Sequence, residues 1–452
     1  MSIFNQLFKR SSPQQGIVLF YLIAIIAAFL MLNLPGVHKP GVHVDPIDTL
    51  FVAVSGISVT GLTPVTIADT YSTFGQIVIM IILNIGGVGV MALGTVLWLI
   101  LGKHIGLRER QMIMLDNNRH TMSGAVQLII EIVRAVLLIE LVGALLLAFY
   151  FYRDTADIQY ALMQGFFVSV ASTTNAGLDI TGNSLIPYAN DYFVQAIVMF
   201  LITLGSIGFP VLLEIKAYIS NRNPNFRFSL FAKITTITYS AIFLSRTVMI
   251  LILEMGNTLK DVSWHKALFY AMFQSTTTRS AGLQTVDISQ FTDATNSLMG
   301  TLMFIGSSPS SVGGGIRTTT FAILILFILN FRTDSERITI KVFNREILPS
   351  DIQKTFMVFS VATILSLTSI VIIQAVEGSK MSILQVFFEV MSAFGTCGLS
   401  LGLSSDGTDI TKVVLMVLMF IGRVGLISFI LMIGGRKEPV LYHYPKEKVQ
   451  IG

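Results

Sequence analysis

Eight long apolar stretches alternate with polar segments along the 452-residue chain, near residues 17–34, 72–101, 124–152, 192–219, 230–253, 297–329, 353–375 and 411–433. Each comes close to or exceeds the about 20 residues that a helix needs to cross a bilayer. Several run long, which predicts tilt, kinks or ends protruding into water. Between the two members of each successive pair lies a shorter apolar patch, at 47–58, 160–173, 265–278 and 383–395. These patches are too short to cross and fit half-helices that enter the membrane and turn back. The pattern is helix, half-helix, helix, four times over. It divides the chain into an N-terminal tail (1–16), units at 17–101, 124–219, 230–329 and 353–433, and a C-terminal tail (434–452).

Charge placement gives an independent reading of the same topology. Segments 1–16, 102–123, 216–233, 330–354 and 434–452 hold 19 of the 30 lysines and arginines, whereas the alternate loops are acidic, with Asp45, Asp69, Asp179, Asp191, Asp287 and Asp406 among their residues. Positive loops stay in the cytoplasm, which predicts cytoplasmic termini and linkers, and eight crossings return the chain to its starting side. The run after Lys9 and Arg10 lacks a small-residue cleavage site and reads as a retained first span.

Composition narrows the function classes. Hydrophobic residues make up 53% of the chain and charged ones only 12%, about half the charged share of a soluble domain. A net charge of +4 gives no case for nucleic acid. The lone cysteine, Cys397, excludes an intrachain disulfide framework. The six histidines form no HExxH or HxxxH pair, and no nucleophile–base cluster supports a membrane enzyme.

The half-helices end on a repeat. The four sequences are Ser58-Val59-Thr60-Gly61-Leu62, Thr174-Asn175-Ala176-Gly177-Leu178, Arg279-Ser280-Ala281-Gly282-Leu283 and Gly395-Thr396-Cys397-Gly398-Leu399, with glycine spacings of 116, 105 and 116 residues. Six residues before each glycine stands a small residue, Ser55, Ala171, Thr276 or Ser392, and four further back a bulky one, Phe51, Phe167, Met272 or Phe388. Four extended strands whose carbonyl oxygens face a narrow axis can replace the hydration shell of a cation. That geometry needs backbone angles glycine tolerates best, and irregular backbone at membrane depth must be buried or line a water-filled cavity. The expected fold is an all-α membrane protein of four helix–pore-loop–helix units, with eight transmembrane helices and four re-entrant half-helices around one central pore. The expected cargo is a monovalent cation, with Val59, Thr60, Gly61, Asn175, Ala176, Gly177, Ser280, Ala281, Gly282, Thr396, Cys397 and Gly398 as its filter.

These four loops resemble those of the Trk/Ktr/HKT superfamily of K⁺ transport proteins, most closely the membrane subunit of bacterial Ktr systems, over about residues 15–435. The resemblance implies K⁺ as the transported ion in the bacterial cell membrane, with Na⁺ as an activator. Gly61, where some plant members carry serine, favours K⁺. The resemblance also implies a homodimer on a cytosolic ring of nucleotide-binding subunits, so that any nucleotide belongs to the partner. The basic linkers do not decide partner binding, because orientation alone explains their charge.

Residues Gly306, Ser307, Ser308, Pro309, Ser310, Ser311, Val312, Gly313, Gly314 and Gly315 interrupt the sixth span. Proline and a glycine triplet cannot continue a helix. The segment reads as a mobile flap below the filter, matching the intramembrane gate loop of the resembling proteins, or as an inert kink. It lacks the GK[ST] ending of a phosphate-binding loop. Only this second helix is expected to break, and removing the flap is expected to leave selectivity intact. Arg423, in the last span, is expected to face the pore, where it can restrain ions, hold the flap through its carbonyls, or act as a structural anchor. Arg279 and Glu389 are expected to neutralise each other behind the filter. Glu131, Arg134 and Arg246 receive no role, and Asn84 with Gly86, Gly87 and Gly89 reads as close helix packing. A secondary symporter would show inverted repeats, whereas these four units are parallel.

Overall fold

The computed structural model describes residues 13–89, 124–221, 226–330 and 340–433, with isolated positions between 92 and 114 and residue 447. Much of the basic sequence at both termini and in the linkers, and most of 90–101, lies outside the described residues. Fifteen helices concern the site. Unit 1 comprises α1 (Pro13–Leu32), the half-helix α2 (Pro46–Ser58) and α3 (Thr73–Val88). Unit 2 comprises α4 (Ala125–Thr155), the half-helix α5 (Ile158–Thr173), α6 (Tyr192–Ser206) and α7 (Phe209–Asn221). Unit 3 comprises α8 (Leu230–Glu254), the half-helix α9 (Trp264–Thr277), α10 (Asp293–Phe304) and α11 (Thr318–Leu329). Unit 4 comprises α12 (Pro349–Glu377), the half-helix α13 (Ile383–Gly395), α14 (Asp409–Val424) and α15 (Leu426–Ile433).

The first helix of each unit is continuous, and α1, α4, α8 and α12 are long and apolar enough to cross a membrane. Their outer faces expose Leu30, Leu138, Phe149, Ile252, Ile364 and Val371. A soluble protein would not leave so much apolar surface bare, whereas lipid would cover it.

The second helices depart from the expected single break. All four are interrupted. Gly89 ends α3 at φ 98°, Gly208 separates α6 from α7 at φ 101°, and Gly425 separates α14 from α15 at φ 90°. The α6–α7 pair bends by 103°, and unit 3 inserts the whole segment 305–317. A positive φ cannot continue a right-handed helix, and glycine adopts it without steric cost.

Three of the four second helices start on a side-chain cap. Ser72 accepts from the Gly75 amide, Asp191 from those of Phe193 and Val194, and Thr292 from that of Thr295. In unit 3 the carboxylate of Glu254, at the end of α8, accepts from Thr292 and Thr295. Glu377, at the end of α12, takes the same hydrogen bonds from Thr408 and Thr411. The cap ties first helix to second and fixes the opening in which the half-helix sits.

Packing closes these units into a ring. The second helix of each unit contacts the half-helix of the next: α3 on α5, α6 on α9, α10 on α13, and α14 back on α2. An ion pair of 2.5 Å between Lys412 of α14 and Asp48 of α2 spans that last junction.

Candidate functional site

The half-helices deliver four short strands to the centre of the ring. In each strand the glycine has positive φ, at 92° for Gly61, 65° for Gly177, 70° for Gly282 and 93° for Gly398. The residue two places earlier does too: Val59 at 56°, Asn175 at 54°, Ser280 at 91° and Thr396 at 48°. Thr60, Ala176, Ala281 and Cys397, between them, do not. A left-handed backbone is costly for side-chain-bearing residues, most of all β-branched ones such as Val59 and Thr396. The same alternation recurring in four unrelated triplets marks one shared geometry.

The strands meet in order. A methyl group on Gly61 would collide with the carbonyl oxygen of Ala176, on Gly177 with that of Ala281, on Gly282 with that of Cys397, and on Gly398 with that of Thr60. The four middle carbonyls thus form a closed cycle against the four glycines, with no room for a Cβ. The C-terminal ends of the half-helices, which carry partial negative charge, lead into it. Among the described residues, no group of three or more His, Cys, Asp or Glu side chains could hold a metal ion. The oxygens that lie against the four glycines are backbone carbonyls.

Support beneath the strands is unequal. The Gly61 amide donates to Ser55 Oγ at 3.0 Å and the Gly398 amide to Ser392 Oγ at 3.1 Å. Ala171 has no hydroxyl to offer Gly177, and Thr276 donates instead to Met272 O of its own helix. On one side of the ring, a cavity of about 330 Å³ is lined by the four glycines with Asp179, Gln284 and Ser400.

The segment 305–317 crosses the other side. It doubles back on itself through the Ser307 amide to Gly314 O at 3.2 Å and the Ile316 amide to Phe304 O at 3.1 Å. Its Ser308 and Val312 amides donate to Ser206 O and Gly205 O, and Ser310 O accepts from the Phe209 amide across the α6–α7 break. Two bonds reach the strands themselves: Ser307 Oγ to Ser280 Oγ at 3.2 Å, and the Gly314 amide to Thr396 Oγ1 at 2.6 Å. Arg423, buried on α14, donates to Val312 O in the loop and to Gly86 O and Gly87 O at the end of α3. Loop and arginine together touch all four units. A smaller cavity of about 110 Å³ lies against Ser310, Ser311, Arg317 and Arg423.

Arg279 and Glu389 do not pair. The Arg279 guanidinium lies over the Tyr239 ring, 3.5 Å from its centroid, and donates to Tyr239 O. The Glu389 carboxylate accepts from Ser400 Oγ and from the Leu401 and Ser404 amides. Each buried charge finds neutral partners within reach, so neither needs the other. Sequence reasoning missed the Glu254 and Glu377 caps, although Thr-x-x-Thr recurs at the start of both second helices. It also missed the Asp48–Lys412 pair, which no local pattern signals.

The profile described as TrkH: Cation transport protein matches residues 15–435. The chain belongs to this family of transport proteins. It is 48% identical to the Ktr system potassium uptake protein D of Bacillus subtilis, over 99% of both chains. It is 31% identical to the potassium/sodium uptake protein NtpJ of Enterococcus hirae, over 98% of both. The solved structure of the potassium transporter TrkH from Vibrio parahaemolyticus superposes with a TM-score of 0.72 at 19% identity, covering 93% of this chain and 85% of that one. The fold is shared, and the chain is a multi-pass membrane protein.

Proposed function

We propose that the chain is the K⁺-translocating subunit of a K⁺ uptake system, acting by dehydration and gated conduction without covalent chemistry. The observation that carries this is the closed cycle of four carbonyls on four glycines. An ion entering from the 330 Å³ mouth gives up water and takes backbone oxygens in its place. Val59 to Gly61, Asn175 to Gly177, Ser280 to Gly282 and Thr396 to Gly398 form the filter. The segment from Gly306 to Gly315 is the gate, since it lies across the path and offers no substitute for hydration water. Arg423 holds it through the Val312 carbonyl.

The names of the two relatives support K⁺ as cargo, and the second sets sodium beside potassium; we read Na⁺ as an activator. The word "system" in the first supports a partner subunit, which we read as a cytosolic nucleotide-binding ring under a homodimer. We place the protein in the bacterial cell membrane with both termini cytoplasmic. The test is rescue of a K⁺-uptake-deficient cell at low external K⁺, with Na⁺ varied. Rescue that needs this chain and is lost when the four glycines are replaced together supports the reading. Correctly inserted protein that carries no K⁺ in cells or proteoliposomes overturns it.

A further inference from the structure

Arg246 lies in the middle of the membrane-spanning helix α8 and is fully buried. Among the described residues the ion pairs are Lys216–Glu131, Lys354–Asp351 and Lys412–Asp48, so no acid neutralises it. The one acid near its end of the helix, Glu254, is occupied by the α10 cap. A charge kept at that depth is costly unless it does something there.

Its partners are two carbonyls at one place. Arg246 Nη2 donates to Leu302 O at 2.6 Å and to Ile305 O at 3.2 Å. Leu302 belongs to the last turn of α10, whose carbonyls have no helical partner. Ile305 is the first residue beyond the helix and bridges to Ile316, where the loop returns. The guanidinium therefore grips the root of the loop, while Arg423 grips Val312 within it. Nε and Nη1 of Arg246 have no hydrogen-bond partner, so its hydrogen bonding is spent on the root alone.

Unit 4 serves as an internal control. Glu254 and Glu377 close equivalent caps, and the residue eight places before Glu377 is Ser369. Ser369 bonds only to Leu365 O of its own helix. The arginine occurs in the unit that carries the long loop and is replaced by serine in the unit whose second helix breaks at one glycine.

We propose that Arg246 is a positioning residue that fixes the angle at which the 305–317 loop leaves α10, and so holds the loop across the pathway. This rests on the reading of the loop as the gate. With the guanidinium gone, two buried carbonyls lose a charge-assisted partner and the loop root is free to swing. Losing one such bond shifts the balance between held and released loop by about tenfold or more.

The test compares K⁺ flux in proteoliposomes for the intact chain, Arg246→Gln, Arg246→Lys, deletion of 310–315, and Arg246→Gln combined with the deletion. Flux is expected to rise about tenfold in Arg246→Gln, to lie between that value and wild type in Arg246→Lys, and to rise no further when the deletion is combined. Amide exchange at 306–316 is expected to speed up in Arg246→Lys while that of α8 is unchanged, which also serves if Arg246→Gln does not fold. A deletion that leaves flux unchanged removes the gate reading itself. A deletion that raises flux, beside an Arg246→Gln that matches wild type or adds to the deletion, overturns the role of Arg246 alone. So does loop exchange in Arg246→Lys equal to that of wild type.

Discussion

Valine, asparagine, serine and threonine share no chemistry that would mark them as a set, yet Val59, Asn175, Ser280 and Thr396 all adopt the left-handed backbone. The glycine two places later was readable because it recurs with leucine at near-equal spacing. The left-handed backbone two residues before it was not, because four-strand closure imposes the conformation against local preference. Arg279 and Glu389 show the same limit in reverse: opposite charges in a membrane protein suggest a pair, but an aromatic face and three backbone or hydroxyl donors satisfy them separately. At this scale the expectation concerns Gly61→Ser. Its Cβ would strike Ala176 O, so the strand must yield while the helices around it remain. Permeability measurements should show K⁺ preference over Na⁺ reduced about tenfold, the factor that roughly 1–2 kcal/mol of left-handed strain supplies, with expression near normal. Gly177, Gly282 and Gly398 should respond unequally, because only Gly61 and Gly398 have serine hydroxyls holding their amides. Unaltered selectivity in all four single mutants would end the filter assignment.

Among the helices, those decided by length and hydropathy were legible, and the half-helices fell within a residue or two of the expected patches. The breaks at Gly89, Gly208 and Gly425 were not. An isolated glycine costs a helix only about 1 kcal/mol, and membrane helices keep many for packing, so sequence cannot tell a packed glycine from a turned one. The loop of unit 3 was legible because proline and three glycines leave no alternative. What its sequence hid was its attachment to the filter through Ser280 and Thr396. Deleting 310–315 should therefore raise K⁺ flux and remove dependence on a cytosolic regulator. Contrary to the expectation from sequence, it should also blunt selectivity, since strands 3 and 4 lose part of their support. Arg423→Ala should raise flux by less, because the bonds to Ser206 and Gly205 remain. Flux in proteoliposomes, with and without the regulator, measures both. Reduced flux from well-folded deletion protein would leave the loop a structural kink.

For the whole molecule, charge asymmetry predicts where each end lies. Impermeant thiol reagents applied to intact cells should label a cysteine placed at 287 and not one at 110, and the opposite result would invert the topology. Closure of the ring makes a second demand. Three of its four junctions lie between units that follow each other in sequence, whereas the junction of unit 4 with unit 1 joins the two ends of the chain. There the Asp48–Lys412 pair is mostly buried. Lys412→Met should lower stability in detergent by roughly 2–3 kcal/mol, somewhat below the loss for a fully buried pair. Replacing both partners by neutral residues should recover much of it. A thermal midpoint equal to that of wild type in Lys412→Met would mean that packing alone seals the junction.

Among the described residues, the loop that crosses beneath the ring exists once, and it reaches the axis from a single side. Four identical subunits could not copy this arrangement, since four such loops would compete for the same space. Joining the quarters in one polypeptide removes that conflict and lets each quarter change alone. A single codon then alters one side of the ring: a serine under one strand, an arginine in one helix, a plug on one wall. Selectivity and closure can accordingly be adjusted in separate places, by steps a symmetric assembly would have to take four at a time.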